Sequence, residues 1–369
     1  MMQLIFFSVY VLIVVLGHVL FGWFSIKLFQ INTLKEQIIL AVIIFFLFAS
    51  TIIASYLIHK LDNTLTRSYY LFAGAWIGIL VNFGVMMLII LFLKYFGLIF
   101  NFNFPIIFFK IIFLVGAIGL SIFGLYKAWL PRVTSYEVYI KDLPESWENK
   151  TVVQISDVHL GPVYRENFFA RLLAKVQALN PEAVFITGDL FDGMESDFSW
   201  LKRPFSKMNV PKGIYYSFGN HDLYLGFNKA KELLQDNPVI ILDDKMMVVD
   251  GLQIIGINYS FNSDFNLSEA ILKQVSYSKE KPSILLFHEP KNIILAKQAE
   301  IDLQLSGHTH NGQLFPFNYL VRIFYSGFGY GLSSDGDFSL VVNSGAGTWG
   351  PPMRTSGQSE IVKIILKKK

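Results

Sequence analysis

Five short polar clusters lie in the second half of the chain, each at the end of an apolar run. ISDVH (155–159) presents Asp157 and His159, TGD (187–189) presents Asp189, and GNHD (219–222) presents Asn220, His221 and Asp222. FHEP (287–290) presents His288, and GHTH (307–310) presents His308 and His310. The chain has seven histidines, and all except His18 and His59 lie in these clusters. Taken singly, each cluster reads as a turn with a hydrogen-bonded side chain. Taken together they offer imidazoles, carboxylates and one amide, with no thiolate, because the chain has no cysteine. That donor set suits Mn, Fe, Zn or a similar divalent ion. Asp157, His159, Asp189, Asn220, His288, His308 and His310 are too many for one ion. They fit two ions about 3.5–4 Å apart that share one carboxylate.

The clusters need elements to bring them together. TVVQI (151–155), AVFIT (183–187) and residues 213–218 have the apolar, β-branched character of strands. Residues 252–257, 283–287, 302–305, 338–342 and 360–366 read the same way. Between them, Phe168, Leu172, Leu173 and Val176 recur at helical spacing, and residues 226–234, 267–275 and 290–299 are further helical stretches. Strand and helix in alternation predict an α/β layered domain over residues 151–369. In such sheets, sites form beyond the carboxyl ends of the strands, where these clusters fall.

The first third has a different character. Four apolar segments, at about 4–26, 38–58, 69–93 and 105–130, are each as long as a bilayer crossing requires. Residues 1–130 therefore read as a region of four transmembrane helices, and residues 131–150 as a connector with a strand-like piece at 136–140. The chain is 53% hydrophobic, with a mean hydropathy of +0.45. Residues 1–130 carry seven Lys/Arg against two Asp/Glu, leaving 24 against 26 for the rest, so the net +3 owes much to the membrane region. No dense Lys/Arg cluster lies in the second half, which argues against a nucleic-acid partner. Four spans put both chain ends on one side. Lys27, Lys35, Lys94 and Lys110 would share one face, and Lys60, Arg67, Lys127 and Arg132 the other, so charge leaves the side open. His18, His59 and Asn82 lie in or near the spans without forming a cluster.

The ordered set DVH, GD, GNHD, a single His after a strand, and GHTH resembles the calcineurin-like metallophosphoesterases over about residues 150–357. The resemblance implies two packed β-sheets flanked by helices, with a dinuclear metal site at the strand ends. It implies that Asp157, His159 and His310 hold one ion and Asn220, His288 and His308 the other, with Asp189 bridging. His221 would stand beside the metals as a proton donor to the leaving group, with Asp222 steering its ring. Two divalent ions would neutralise phosphoryl oxygens and lower the pKa of a water.

GHTHNGQLFPF (307–317), YSGFGYGL (325–332) and NSGAGTWGPPMR (343–354) are similar to the bacterial membrane-associated branch, which includes lipid-sugar-nucleotide hydrolases, and to multi-span animal proteins with such a domain. By chemistry alone Arg354 is a candidate phosphate clamp and Asn311 a candidate substrate contact. The expected partners are a bilayer and a phosphorylated small molecule or lipid. The resemblance points to a multi-pass membrane phosphoesterase acting on a substrate such as UDP-2,3-diacylglucosamine, in lipid A synthesis, with the domain then facing the cytoplasm. Two alternatives are an extracytoplasmic protein or cell-wall phosphodiesterase, and a membrane receptor or scaffold whose metal domain only binds. Aromatic loops at 198–200 and 315–319 are candidates either for the core or for contact with the membrane interface.

Overall fold

The computed structural model describes residues 2–194, 196–260 and 275–369, arranged in two compact units. The helical stretch expected at 267–275 falls almost wholly outside the described residues. One unit holds Met1–Tyr126 together with Leu314–Pro316 and Gly350–Thr355, and the other holds the rest.

The first unit is built on α1 (Met2–Phe29), α2 (Leu34–Lys60), α3 (Thr64–Ile99) and α4 (Ile106–Trp129), the last entering the second unit over its final turn. All four are long and apolar enough to cross a membrane. The helices extend past the apolar stretches because their ends are capped by polar residues. Thr33 and Glu36 form a capping box before α2, and Asn63 and Thr66 another before α3. Residues such as Phe45, Phe92 and Ile99 are exposed, as helices that are apolar all round require when lipid is their solvent. Phe24, Phe83 and Phe113 meet inside the unit. Two pairs of buried polar side chains meet there. Trp76 Nε1–H donates to His18 Nε2 at 2.9 Å, and Asn82 Nδ2 donates to Ser121 Oγ at 2.9 Å. Gly350–Thr355 packs in the same unit: Met353 fills the space that a side chain at Gly78 would need, and Gly124 accepts the Arg354 N–H at 2.9 Å.

The second unit is a sandwich of two six-stranded mixed sheets. The first has the order β1 (Arg132–Ile140), β12 (Glu360–Lys368), β2 (Thr151–Ile155), β3 (Ala183–Thr187), β4 (Ile214–Ser217), β5 (Ile240–Ile241). The second has the order β10 (Gly331–Asp335), β11 (Phe338–Val342), β9 (Leu303–Ser306), β8 (Ser283–Phe287), β7 (Leu252–Ile257), β6 (Lys245–Val249). The connector's strand-like piece is longer than its composition suggested, since β1 pairs with β12 in parallel over nine residues from Arg132 to Ile140. Strands β6 and β10 add antiparallel edges that the apolar pattern did not reveal.

Alternation divides the core into layers. Val153 and Ile155 of β2 face the cluster under α5 (Glu166–Gln177), where Phe168, Phe169, Leu172 and Val176 are buried. Val152 points the other way, joining Phe185, Ile254, Leu286 and Leu305 between the sheets. The remaining helices are α6 (Lys202–Phe205), α7 (Asn220–Leu225), α8 (Phe227–Leu234), α9 (Ile293–Gln298) and α10 (Phe317–Phe324). Strands β2, β3 and β4 run parallel, as do β8 and β9, so their carboxyl ends collect at one rim of each sheet. Gln154 Nε2 and His288 Nδ1 join those rims, donating to Ser306 O and Thr187 O, both at 2.8 Å.

Asp302, at the start of β9, accepts the Ser283 N–H at 2.9 Å, and burial pushes its carboxyl up to about 6. A folded-state pKa above the ordinary 3.8 means that the folded chain holds this proton more tightly than the unfolded chain. Stability therefore falls as pH rises through that window, and the cost is fully present above it. Asp302→Asn keeps an accepting oxygen and removes the ionisation. It should raise the Tm at pH 7 and leave it nearly unchanged at pH 4, read from thermal melts at both values.

Candidate metal centre

The ligand side chains converge in two groups. Around the first, His159 Nε2 lies 3.1 Å from His310 Nε2, and His310 Nε2 lies 3.4 Å from Asp157 Oδ1. Around the second, His308 Nδ1 lies 2.9 Å from Asn220 Oδ1 and 3.2 Å from His288 Nε2. Asp189 Oδ2 belongs to both, at 4.0 Å from His159 Nε2 and 3.2 Å from His288 Nε2. Asp157, His159 and His310 thus form one metal-competent triad, and Asp189, His288 and His308 another. Every one of the seven expected ligands is in this cluster, and all lie in the second unit.

The outer nitrogens fix which ring atom faces inward. His288 Nδ1–H donates to Thr187 O, leaving its Nε2 lone pair for the cluster. His159 turns Nδ1 toward Asp192 Oδ1 at 3.5 Å, and His308 turns Nε2 toward Glu289 Oε1 at 3.7 Å. Carboxylates beside ligand imidazoles orient the rings and raise their basicity. The carboxylate ligands are held by backbone in turn. Asp157 accepts the His308 N–H at 3.0 Å, and Asp189 Oδ1 accepts the His221 N–H at 2.8 Å.

Backbone conformation does the aiming. Asp157, His159, Asp189, His308 and His310 all have φ between 50° and 70°, the left-handed region that side chains other than Gly, Asn and Asp seldom adopt. Two glycines allow the close approach. A Cβ at Gly219 would stand 2.2 Å from Asp189 Oδ1, and one at Gly307 would stand 2.0 Å from Ser156 Oγ.

The electrostatics favour a cation. Burial opposes charge on His288, yet the Asp189 carboxylate outweighs it and raises the imidazole to about 10. Burial likewise disfavours the Asp189 carboxylate, but the His288 imidazole holds it well below the usual range. His159 is also raised: against burial stand Asp192, Asp189 and Asp157. Lone pairs of three imidazoles aimed at buried carboxylates, with no thiolate, fit a pair of hard or borderline divalent ions.

Two placements differ from expectation. Asp222 does not steer the His221 ring. Its carboxylate accepts the N–H groups of Asp189 and Gly219 at 2.8 Å and of Phe191 at 3.1 Å, so it ties the Asp189 loop to the start of α7. It can do so because GNHD opens a helix, which turns Asp222 back beneath Gly219. Burial, then the neighbouring Asp189 charge, pushes it up to about 6. The His221 ring is held instead by the Asp192 carbonyl, 2.8 Å from Nδ1. Of the two candidate substrate contacts, Asn311 is half-buried beside His310, and its backbone oxygen accepts the Ser356 hydroxyl at 3.0 Å. Arg354 is fully buried within the helical unit.

Asp192 and Glu289 stand behind the His159 and His308 rings, and the motif reading passed over them. The only signals were their places, three residues after Asp189 and one after His288. Glu289 also accepts the Tyr325 hydroxyl at 3.2 Å and pairs with Lys291 at 2.7 Å, so it is fixed from three directions. Asp189→Asn should cut bound Mn²⁺ by at least half in metal analysis of the purified chain. Glu289→Gln should weaken uptake by about 10–100-fold without abolishing it. In both the parent and Glu289→Gln, uptake should release protons and strengthen as pH rises, because a proton on His288 must leave first.

Residues 150–312 match the family described as calcineurin-like phosphoesterase. An uncharacterized metallophosphoesterase of Campylobacter jejuni is 36% identical over 269 residues, covering 70% of this chain and 71% of the relative. One from Helicobacter pylori is 30% identical over 267 residues, covering 70% of each. A zebrafish (Danio rerio) protein named transmembrane protein with metallophosphoesterase domain is 33% identical over 274 residues, covering 67% of this chain and 60% of its own length. With seven metal-competent side chains gathered at the strand ends of a two-sheet sandwich, and with four apolar helices ahead of it, this chain belongs to the calcineurin-like metallophosphoesterases as a membrane protein.

Proposed function

We propose that the chain is a membrane-bound, dinuclear-metal-dependent phosphoesterase. It hydrolyses a phosphoester or pyrophosphate bond in a lipid-linked or membrane-surface substrate, of which UDP-2,3-diacylglucosamine is one candidate. The observation that carries this reading is the sharing of Asp189 between two donor groups, with His221 beside them. Asp157, His159 and His310 would hold one ion, and Asn220, His288 and His308 the other. When bound, such ions supply Lewis acidity toward the phosphoryl oxygens.

The protein's own groups supply the rest. The His221 ring lies 4.7 Å, centroid to centroid, from that of His159. With Nδ1–H donated to the Asp192 carbonyl, Nε2 is the atom that can hand a proton to the leaving oxygen. Burial lowers the His221 pKa and Asp189 acts against it, so the proton at Nε2 is best held when a phosphoryl anion is present. Trp349, half exposed and 6.0 Å from the His221 ring, limits water on that side. We assign Asn311 as a substrate contact at the rim.

His221→Ala in the full chain should retain metal and lose about 10²–10⁴-fold in kcat on bis-p-nitrophenyl phosphate with Mn²⁺. An unchanged rate, or no hydrolysis by the parent with any divalent ion, removes the assignment. A UDP-linked substrate requires the catalytic unit to face the cytoplasm. A topology reporter fused after Lys369 should therefore give a cytoplasmic signal, and an extracytoplasmic signal rules out that substrate.

A further inference from the structure

Helix α10 has its apolar face on the wrong side for a core helix. In α5 the apolar stripe points inward, and Phe168, Phe169, Leu172, Leu173 and Val176 are all buried. In α10, sequence FNYLVRIF, no residue is buried. Tyr319, Leu320, Ile323 and Phe324 are 57%, 47%, 71% and 77% exposed. At 3.6 residues per turn these four share one arc of roughly 140°. Asn318 and Val321, on the opposite arc, are the half-buried positions that seat the helix. Arg322 lies at the border of the apolar arc and is exposed.

Four large apolar side chains side by side on a helix need a cover. The protein's own composition and path say what it is. The chain carries four helices long and apolar enough to span a bilayer. Leu314–Pro316 groups with that helical unit, and α10 begins at the next residue, Phe317. The chain therefore leaves the membrane unit directly into α10. A short helix with Tyr, Leu, Ile and Phe on one face and Arg at its border has the composition of one lying in the headgroup layer. Its length of about 12 Å would bind weakly alone, but the tether removes the need for independent affinity.

We propose that α10 is an interfacial helix that inserts Tyr319, Leu320, Ile323 and Phe324 into the headgroup–acyl boundary of the bilayer spanned by α1–α4. Gln313, between His310 and α10, exchanges two hydrogen bonds with the Trp349 backbone, at 2.9 Å and 3.0 Å. Trp349 is the residue beside His221.

The absence of cysteine makes the test direct. Single-cysteine chains Ile323→Cys and Phe324→Cys, and a control at exposed Lys229→Cys, are labelled with an environment-sensitive fluorophore. The full-length proteins are reconstituted in phosphatidylcholine–phosphatidylglycerol vesicles. Quenching by a spin-labelled lipid should be several-fold stronger at 323 and 324 than at 229, and quenching by aqueous iodide several-fold weaker. Iodide and lipid quenching equal to those of the control would overturn the proposal. So would protection from both quenchers, which would mean that a protein surface, a second copy included, covers the face. Neither readout depends on catalysis.

Discussion

The metallophosphoesterase unit is organised around a charge conflict. Asp189 and Asp157 are buried carboxylates, and the imidazoles of His159, His288 and His310 point nitrogen lone pairs at the same small volume. A buried anion without a partner is unaffordable at the scale of folding free energies, since the penalty runs to several kcal/mol. The chain answers with backbone N–H donors to each carboxylate and with a carboxylate or carbonyl behind several of the rings. What is left over is a demand for positive charge at the centre. Raised His159 and His288 are the form that demand takes when protons meet it. Divalent ions meet it better, because one cation accepts several lone pairs at once and a proton accepts only one.

The sheets exist, for this purpose, to bring two rims together. Three ligand loops follow the parallel strands β2, β3 and β4, and two follow β8 and β9 in the other sheet. Neither sheet alone carries a complete set, because Asp157, His159, Asp189 and Asn220 come from one and His288, His308 and His310 from the other. The apolar layer between the sheets, including Phe185, Leu286 and Leu305, therefore sets the spacing of the two rims and of the side chains they carry. The helical unit follows a simpler rule. It sends apolar side chains outward and pairs its inner polar groups with each other, Trp76 with His18 and Asn82 with Ser121. These pairings give the polar residues of the spans a packing role.

The convergence of the expected ligands was legible in the sequence because each sits just after an apolar strand, and strand ends are marked by composition as well as by structure. The α/β layering was legible for the same reason, whereas the two packed sheets followed from the resemblance carried by the motifs. Edge strand β10 was not legible, since Gly331–Asp335 lacks a continuous apolar run, and β6 was passed over although Met246–Val249 is apolar. The role of Asp222 was misread because a sequence shows that His221 and Asp222 are adjacent, but not that both lie in the first turn of a helix, where Asp222 turns back to Gly219. Asp192 and Glu289 were passed over because residues that support a ligand carry no motif of their own. Residues 315–319 read as an aromatic loop, whereas Phe317–Phe324 is a helix: two turns are too short for periodicity to stand out in the sequence.

The left-handed backbone at five ligand positions also limits how this protein can change. At most positive-φ sites, a chain can relieve the conformational cost by drifting to glycine. Here that route would cost the cluster a donor, since Asp157, His159, Asp189, His308 and His310 each supply one of its metal-competent side chains. Each such site outside glycine costs of order 1 kcal/mol or more. The neighbours are constrained in the opposite sense: Gly219 and Gly307 leave no room for any side chain. Substitution is thus blocked in both directions along the same loops. Adaptation to a new temperature or membrane must come from the sheets, the helices and the outer surface, leaving the ligand loops as the part of the fold with the least evolutionary freedom.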